Sequence, residues 1–149
     1  MCPASAYPKA SVRTFTWPVR VYYEDTDSGG VVYYANYLKF MERARSEWLR
    51  AAGYEQDELT EQGILFAVRS VTLEYLKPAR FNELLSVSAT VARVGRASIS
   101  FEQQITRAAP NGGMELLTTG AVTVVCLESH IFRPKSIPPK LKKDLESAG

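Results

Sequence analysis

Residues 32–52 read VYYANYLKFMERARSEWLRAA, and this stretch decides the fold. At roughly 100° per residue, Tyr37, Met41, Ala44, Trp48 and Ala52 fall on one face. Leu38, Phe40, Leu49 and Ala51 flank that face, and Lys39, Arg43, Ser46 and Arg50 form the opposite stripe. The apolar arc is wide, so the spacing predicts a helix deeply embedded against a sheet. Gly53 is placed to stop it. A second short helix is expected over 56–62.

On both sides of this helix the period changes to two. Phe15–Tyr23 is rich in β-branched and aromatic residues and reads as a strand. Leu65, Ala67, Val71, Leu73 and Tyr75 are expected to share one face of a strand that stops near Pro78. Leu85, Val87, Ala89 and Val91 alternate with Ser86, Ser88 and Thr90. Ile99, Phe101 and Ile105 alternate again, and Leu116–Leu127 closes the set. Gly95 and Pro110-Asn111-Gly112-Gly113 supply the hairpin turns. Ile137–Glu146, opened by Pro138 and Pro139, reads as a short tail helix. Residues 1–13 are small and polar and are expected to be flexible, leaving 14–149 as a single domain. One strand, one long helix and four antiparallel strands make an α+β fold. Its compact form is an antiparallel sheet wrapped around one long central helix. Such a sheet keeps free edges and an open face, so association between copies is expected.

The composition narrows the chemistry. With 149 residues the chain supports one core. A net charge of +2 does not point to nucleic acid or a membrane surface. No apolar run approaches the ~18 residues of a membrane span. Residues 1–13 contain no apolar core, so no signal peptide is expected, and Cys2 lacks the apolar segment that precedes a lipidated cysteine. Cys2 and Cys126 are the only thiols and cannot make a disulfide framework; a reducing cytoplasm is the simpler reading. His130 is the only histidine, which excludes a His-cluster metal site and leaves a Cys/His zinc site short of ligands. No Gly-x-Ser-x-Gly elbow is present. Carboxylates, tyrosines and backbone dipoles must therefore carry most of any catalysis.

Residues 20–37, RVYYEDTDSGGVVYYANY, put a carboxylate on a loop just before the buried helix. Gly29 and Gly30 allow a tight turn and a close approach to a ligand. Free N–H groups at the helix start, expected near Val32–Tyr34, favour negative charge. Thioester hydrolysis needs an attacking group and a stabiliser for the oxyanion, and a carboxylate facing N–H donors supplies both. The stretch resembles the hotdog-fold acyl-CoA thioesterases that include the 4-hydroxybenzoyl-CoA thioesterases. It is more similar still to their branch associated with the bacterial Tol-Pal system. The resemblance rests on Arg20-Val21, Thr26-Asp27, Gly30-Val31-Val32, Tyr34 and Tyr37 at matching spacing, and on Glu42-Arg43-Ala44-Arg45. In weaker form it runs to about Pro134.

The resemblance implies a hotdog fold and hydrolysis of a short/medium-chain or aromatic acyl-CoA to free acid and CoA. It implies Asp27 as nucleophile or general base, with the backbone N–H of Tyr34 and the Gly30 turn at the oxyanion. The Tol-Pal branch often carries His at the position of Tyr34, so an imidazole role is not carried over. It implies Glu42 and Tyr37 as substrate-facing residues, and Arg93, Arg96 and Ser98 as contacts for coenzyme A. No metal and no separate cofactor are implied, since coenzyme A belongs to the substrate. A dimer or dimer of dimers is implied, with an acyl-carrier or envelope-associated protein as a possible partner.

Plainer readings stand beside these. Asp27 could cap the helix or close a turn, and Asp25 reads as a loop stabiliser. A calcium loop starting at Asp25 would need Glu at its twelfth position, where Asn36 stands. Tyr34 and Tyr37 could be core aromatics with solvated hydroxyls. Glu42 and Arg45, spaced i,i+3, read as a helix ion pair. Arg93 and Arg96 could be solvated strand-end charges, and His130 reads as structural. A competing function is a non-catalytic acyl-CoA or acyl-carrier binding module that docks on an envelope-associated partner. Its motive is Tyr34 in place of His and the sparse basic cluster. Enoyl-CoA hydration ranks below both, because the single histidine lies far from Asp27 in sequence.

Overall fold

The computed structural model describes residues 14–148, so the expected flexible segment 1–13 lies outside the described residues. In chain order it contains β1 (Thr14–Arg20), a 3-10 turn (Tyr23–Asp25), α1 (Asn36–Ala51), α2 (Gln56–Glu61), β2 (Ile64–Tyr75), β3 (Leu84–Val94), β4 (Ser98–Ala108), β5 (Met114–Glu128), β6 (Arg133–Pro134) and α3 (Pro139–Ala148). The strands form one antiparallel sheet in the order β1-β3-β4-β5-β2, with the two-residue β6 beside β5. The sheet curls around α1. This is the hotdog architecture that the sequence predicts.

The predicted helix face is the buried one. Tyr37, Phe40, Met41, Ala44, Trp48 and Leu49 are buried. They pack with Leu85, Val87 and Ala89 of β3, Ile99, Phe101 and Ile105 of β4, and Leu117, Val122, Val124 and Cys126 of β5. Each such side chain contributes ~1.5–3 kcal/mol when fully buried. Ile137 and, on α3, Leu141 and Leu145 join the same core. Gly53 ends α1 with φ +98°, a left-handed conformation open to glycine, and donates its N–H to Arg50 O.

Two expectations need correction. The helix starts at Asn36, four residues later than its apolar pattern suggests. Val31 and Val32 instead make isolated β-bridges, to Arg80 and Thr26 respectively. The Val32 side chain nevertheless joins the buried core. The second correction concerns β2. Val68 pairs with Val124 and Ser70 with Thr123, so Arg69 is an extra residue in a β-bulge. The bulge switches the alternation. Ile64, Phe66 and Val68 share a face with Val71, Leu73 and Tyr75, while Leu65 and Ala67 fall with Ser70, Thr72 and Glu74. The face predicted from unbroken alternation mixed the two sets. β2 lies at the sheet edge, and Val68, Val71 and Tyr75 on its inner face are exposed. Among the described residues, no helix is long and apolar enough to cross a membrane.

Candidate active site

The loop between β1 and α1 is fixed to the β2–β3 connection along its length. Val21 donates its N–H to Glu83 O (2.9 Å) and accepts from Asn82 N–H (2.8 Å). Further on, Val32 N–H donates to Ala79 O (2.8 Å). Inside the loop, Asp25 is the anchor. Its carboxylate accepts Tyr22 N–H (2.9 Å), and its carbonyl accepts Tyr33 N–H and Asn36 Nδ2 (2.9 Å each). Asp25 is buried and has the structural role expected of it.

Asp27 sits at the exposed tip. Its N–H donates to Val31 O (2.9 Å), and its carbonyl accepts Gly30 N–H (3.1 Å). Its Oδ1 accepts Gly29 N–H (2.8 Å); Oδ2 has no hydrogen-bond partner among the described residues. Two glycines allow this turn. Gly30 has φ +80°. A Cβ on Gly29 would lie 3.2 Å from Asp27 Oδ1, so a side chain there would press on the carboxylate.

The loop ends at α1. Val32 and Tyr33 spend their N–H groups on Ala79 O and Asp25 O, so the donors expected over Val32–Tyr34 reduce to one. Tyr34 N–H has no acceptor among the described residues. Its carbonyl is held from the other side by Tyr75 Oη (3.0 Å), whose ring meets the Tyr34 ring edge-on. The Tyr34 ring itself is exposed. A carboxylate with a free oxygen and an unpaired N–H at the positive end of a helix therefore share one pinned loop.

Tyr37 is the fourth predicted residue here, and its hydroxyl is not solvated. It accepts Ala79 N–H (3.0 Å), and Tyr37 is 3% exposed. Burial pushes its pKa up, helped by the charges of Glu83 and Asp27 and opposed by the Ala79 bond and Arg107. The hydroxyl stays neutral and holds the β2–β3 connection. Arg107 secures that connection from below. It donates to Pro78 O (3.0 Å) and to both Glu83 oxygens (2.9 and 3.1 Å), and pairs with Glu115 (2.9 Å).

The remaining candidates lie elsewhere. Glu42 and Arg45 do not form the expected ion pair. Glu42 accepts from Ser46 Oγ, while Arg45 Nη1 turns inward to Gln103 Oε1 (2.8 Å). Both line a cleft of about 180 Å³ between α1, α2 and the sheet. Arg93 and Arg96 are exposed, and with Ser98 they sit around the β3–β4 turn. Leu84, at the other end of β3, is next to the Glu83 that holds Val21. Arg93 is nine residues further, ~30 Å along an extended strand. One chain does not bring these three residues to Asp27. His130 is exposed and pairs with Glu128 (2.9 Å). Among the described residues, no group of three His, Cys, Asp or Glu could hold a metal ion.

The sequence reading missed Tyr75 and the connection 76–83. Tyr75 was read only as a strand-face residue with Val71 and Leu73, since its bond to Tyr34 O spans 41 residues. The only local signal for the connection was Pro78, read as a strand stop.

Comparison with known proteins identifies the family. Residues 29–113 match the thioesterase superfamily model. The acyl-CoA thioester hydrolase YbgC of Escherichia coli O6:H1 is 41% identical over 127 residues, covering 85% of this chain and 92% of that protein. A probable thioesterase from Bartonella henselae superposes with a TM-score of 0.76 at 31% identity, covering 85% of this chain and 100% of that one. A 4-hydroxybenzoyl CoA thioesterase variant complexed with 4-hydroxybenzoyl CoA has a TM-score of 0.80 at 20% identity, covering 89% and 98%; this last likeness bears on the fold alone. The chain belongs to the thioesterase superfamily and, within it, to the family of the YbgC acyl-CoA thioesterases.

Proposed function

We propose that the protein hydrolyses the thioester of a short/medium-chain or aromatic acyl-CoA to the free acid and CoA, with Asp27 as the attacking or activating carboxylate. The observation that carries this is the pairing, on one pinned loop, of the free Asp27 oxygen with the unpaired Tyr34 N–H. The Tyr34 N–H donates to the thioester carbonyl oxygen and stabilises the charge that develops there. Gly30 keeps the turn open to the reacting group.

Two routes are consistent with one carboxylate. As general base, Asp27 takes a proton from water while the water oxygen attacks the carbonyl carbon; the C–S bond breaks and the CoA thiolate takes up a proton. As nucleophile, Asp27 forms a mixed anhydride with release of CoA, and water then hydrolyses the anhydride.

The reading includes a homo-oligomer. β2 is an edge strand with an exposed inner face, and Arg93, Arg96 and Ser98 can serve coenzyme A at this site only from another protomer. Antiparallel pairing of β2 with its copy sets the Tyr75 end of one strand beside the Ile64–Val68 end of the other. An acyl-CoA substrate supports a cytoplasmic location, with an acyl-carrier or envelope-associated protein as the partner to seek.

The test is thiol release from acyl-CoAs running from acetyl to palmitoyl, with benzoyl and hydroxybenzoyl, after subtraction of Cys2 and Cys126. Wild-type turnover and none in Asp27→Asn, with the fold kept, is the expected result. Unchanged turnover in Asp27→Asn refutes the role of Asp27. Binding of acyl-CoA without turnover in wild type replaces the enzyme with a binding module.

A further inference from the structure

Two peptide planes meet at Tyr34, and each is held by its oxygen. Tyr33 O, on the plane that bears the Tyr34 N–H, accepts Asn36 N–H (2.8 Å). Tyr34 O, on the plane that follows, accepts from Tyr75 Oη (3.0 Å). Among the described residues no other hydrogen bond reaches Tyr34 O. The two bonds differ in origin. Asn36 is the first residue of α1 and belongs to the same turn. Tyr75 is the last residue of β2, 41 positions away.

The Tyr75 hydroxyl is itself aimed. Its ring lies edge-on to the Tyr34 ring at 6.4 Å and 5.3 Å from the Tyr37 ring. Tyr37 is buried and tied to Ala79 N–H. Along the backbone, Tyr75 pairs with Thr118 of β5, and Leu76 and Lys77 both donate their N–H groups to Leu117 O (2.8 and 3.1 Å). Yet Tyr75 is 47% exposed, so water is at hand for its hydroxyl. Such a bond adds little to folding, because water replaces it when it is lost. What water does not replace is direction. A donor to an oxyanion acts by being aimed before the charge develops, and small misplacements are costly.

We propose that Tyr75 is a positioning residue for thioester hydrolysis, whose hydroxyl, by holding Tyr34 O, fixes the direction of the Tyr34 N–H. The inference rests on the proposed role of that N–H at the thioester carbonyl. Tyr75 acts through Tyr34 and not on the reacting atoms. Without its oxygen the Tyr34 backbone turns more freely, and the loss falls on the transition state, where the carbonyl oxygen carries most charge.

The test is Tyr75→Phe, which keeps the ring. With the acyl-CoA that wild type hydrolyses fastest, kcat should fall about tenfold while KM stays within about twofold. Tm should stay within about 2 °C of wild type. A wild-type kcat, or a loss of activity that only follows a lowered Tm, overturns the proposal. Tyr54→Phe is the comparator. Tyr54 lies beyond the other end of α1 and bonds Asp144 of α3. It should keep the wild-type kcat; a fall as large as that of Tyr75→Phe means general loosening and overturns the proposal. Raman spectra of bound benzoyl-CoA give a second readout. In Asp27→Asn the thioester carbonyl stretch should lie below its value in solution, and adding Tyr75→Phe should move it back. A shift that survives the loss of the Tyr75 oxygen overturns the role of Tyr75 alone. No shift in Asp27→Asn overturns the reading of the Tyr34 N–H and the role of Tyr75 with it. If wild type releases no thiol, the hydrolase fails, and the carbonyl shift still decides whether Tyr75 aims the donor.

Discussion

Tyr37→Phe removes one oxygen atom and keeps the ring. The ring packs against Phe40 at 6.2 Å and Tyr75 at 5.3 Å, contacts that phenylalanine retains. The lost oxygen is the acceptor of Ala79 N–H, and Ala79 is 0% exposed. The donor is then buried without a partner, which costs about 1–3 kcal/mol. In a domain of this size 1 kcal/mol moves Tm by ~2–4 °C, so a loss of about 2 kcal/mol lowers Tm by ~4–8 °C. Ala79 also accepts Val32 N–H, so turnover should fall as well, through a looser Asp27 loop. Calorimetric melting with parallel thiol-release kinetics measures both. A change below ~0.5 kcal/mol refutes the reasoning, for surface substitutions away from such features do no more. A raised KM at unchanged stability would instead make Tyr37 the substrate contact that the family resemblance implies.

Gly29→Ala puts a methyl group 3.2 Å from Asp27 Oδ1, and Gly29 needs no left-handed backbone. The expected result is a fall in kcat of about tenfold or more with Tm nearly unchanged, since small misplacements of a reacting group are costly; a wild-type kcat removes the claim that this contact positions the carboxylate. Glu115 is held at a pKa of about 2 by its hydrogen bonds to Lys77 and Arg107, against an ordinary 4.5. The folded-state pKa is depressed, so its stabilisation is full above about pH 4.5 and is lost as pH falls toward 2. Glu115→Gln should therefore lower Tm at neutral pH and converge with wild type in acid, and parallel Tm curves down to pH 2 contradict the pairing.

Much of the fold was legible because burial writes a period into the sequence. The arc from Tyr37 to Trp48 and the alternation from Leu85 to Ala89 needed no tertiary information. What failed was whatever a distant strand decides. The Arg69 bulge depends on register with β5, and the true start of α1 depends on Arg80 and Thr26 drawing Val31 and Val32 into bridges. At the site, Asp27 and Tyr34 were legible through the spaced motif, and Asp25 through its turn. Tyr37 was named with the wrong state for its hydroxyl, because Ala79 is far along the chain. The Arg45–Gln103 bond was out of reach, since a lone Gln in a strand shows no partner.

The bulge in β2 also bears on solubility. A free strand edge carrying exposed Val68 and Val71 is a template for open-ended stacking of chains. With Arg69 inserted, each half of the edge has its own register, and a regular strand can match only one half at a time. A copy related by two-fold symmetry carries the same insertion and can match both, which closes the assembly after two. At the other edge Pro18 leaves β1 one backbone donor short. On the proposed pairing of β2 with its copy, the bulge favours a twin over fibril growth, and deleting Arg69 should make the protein more prone to aggregate.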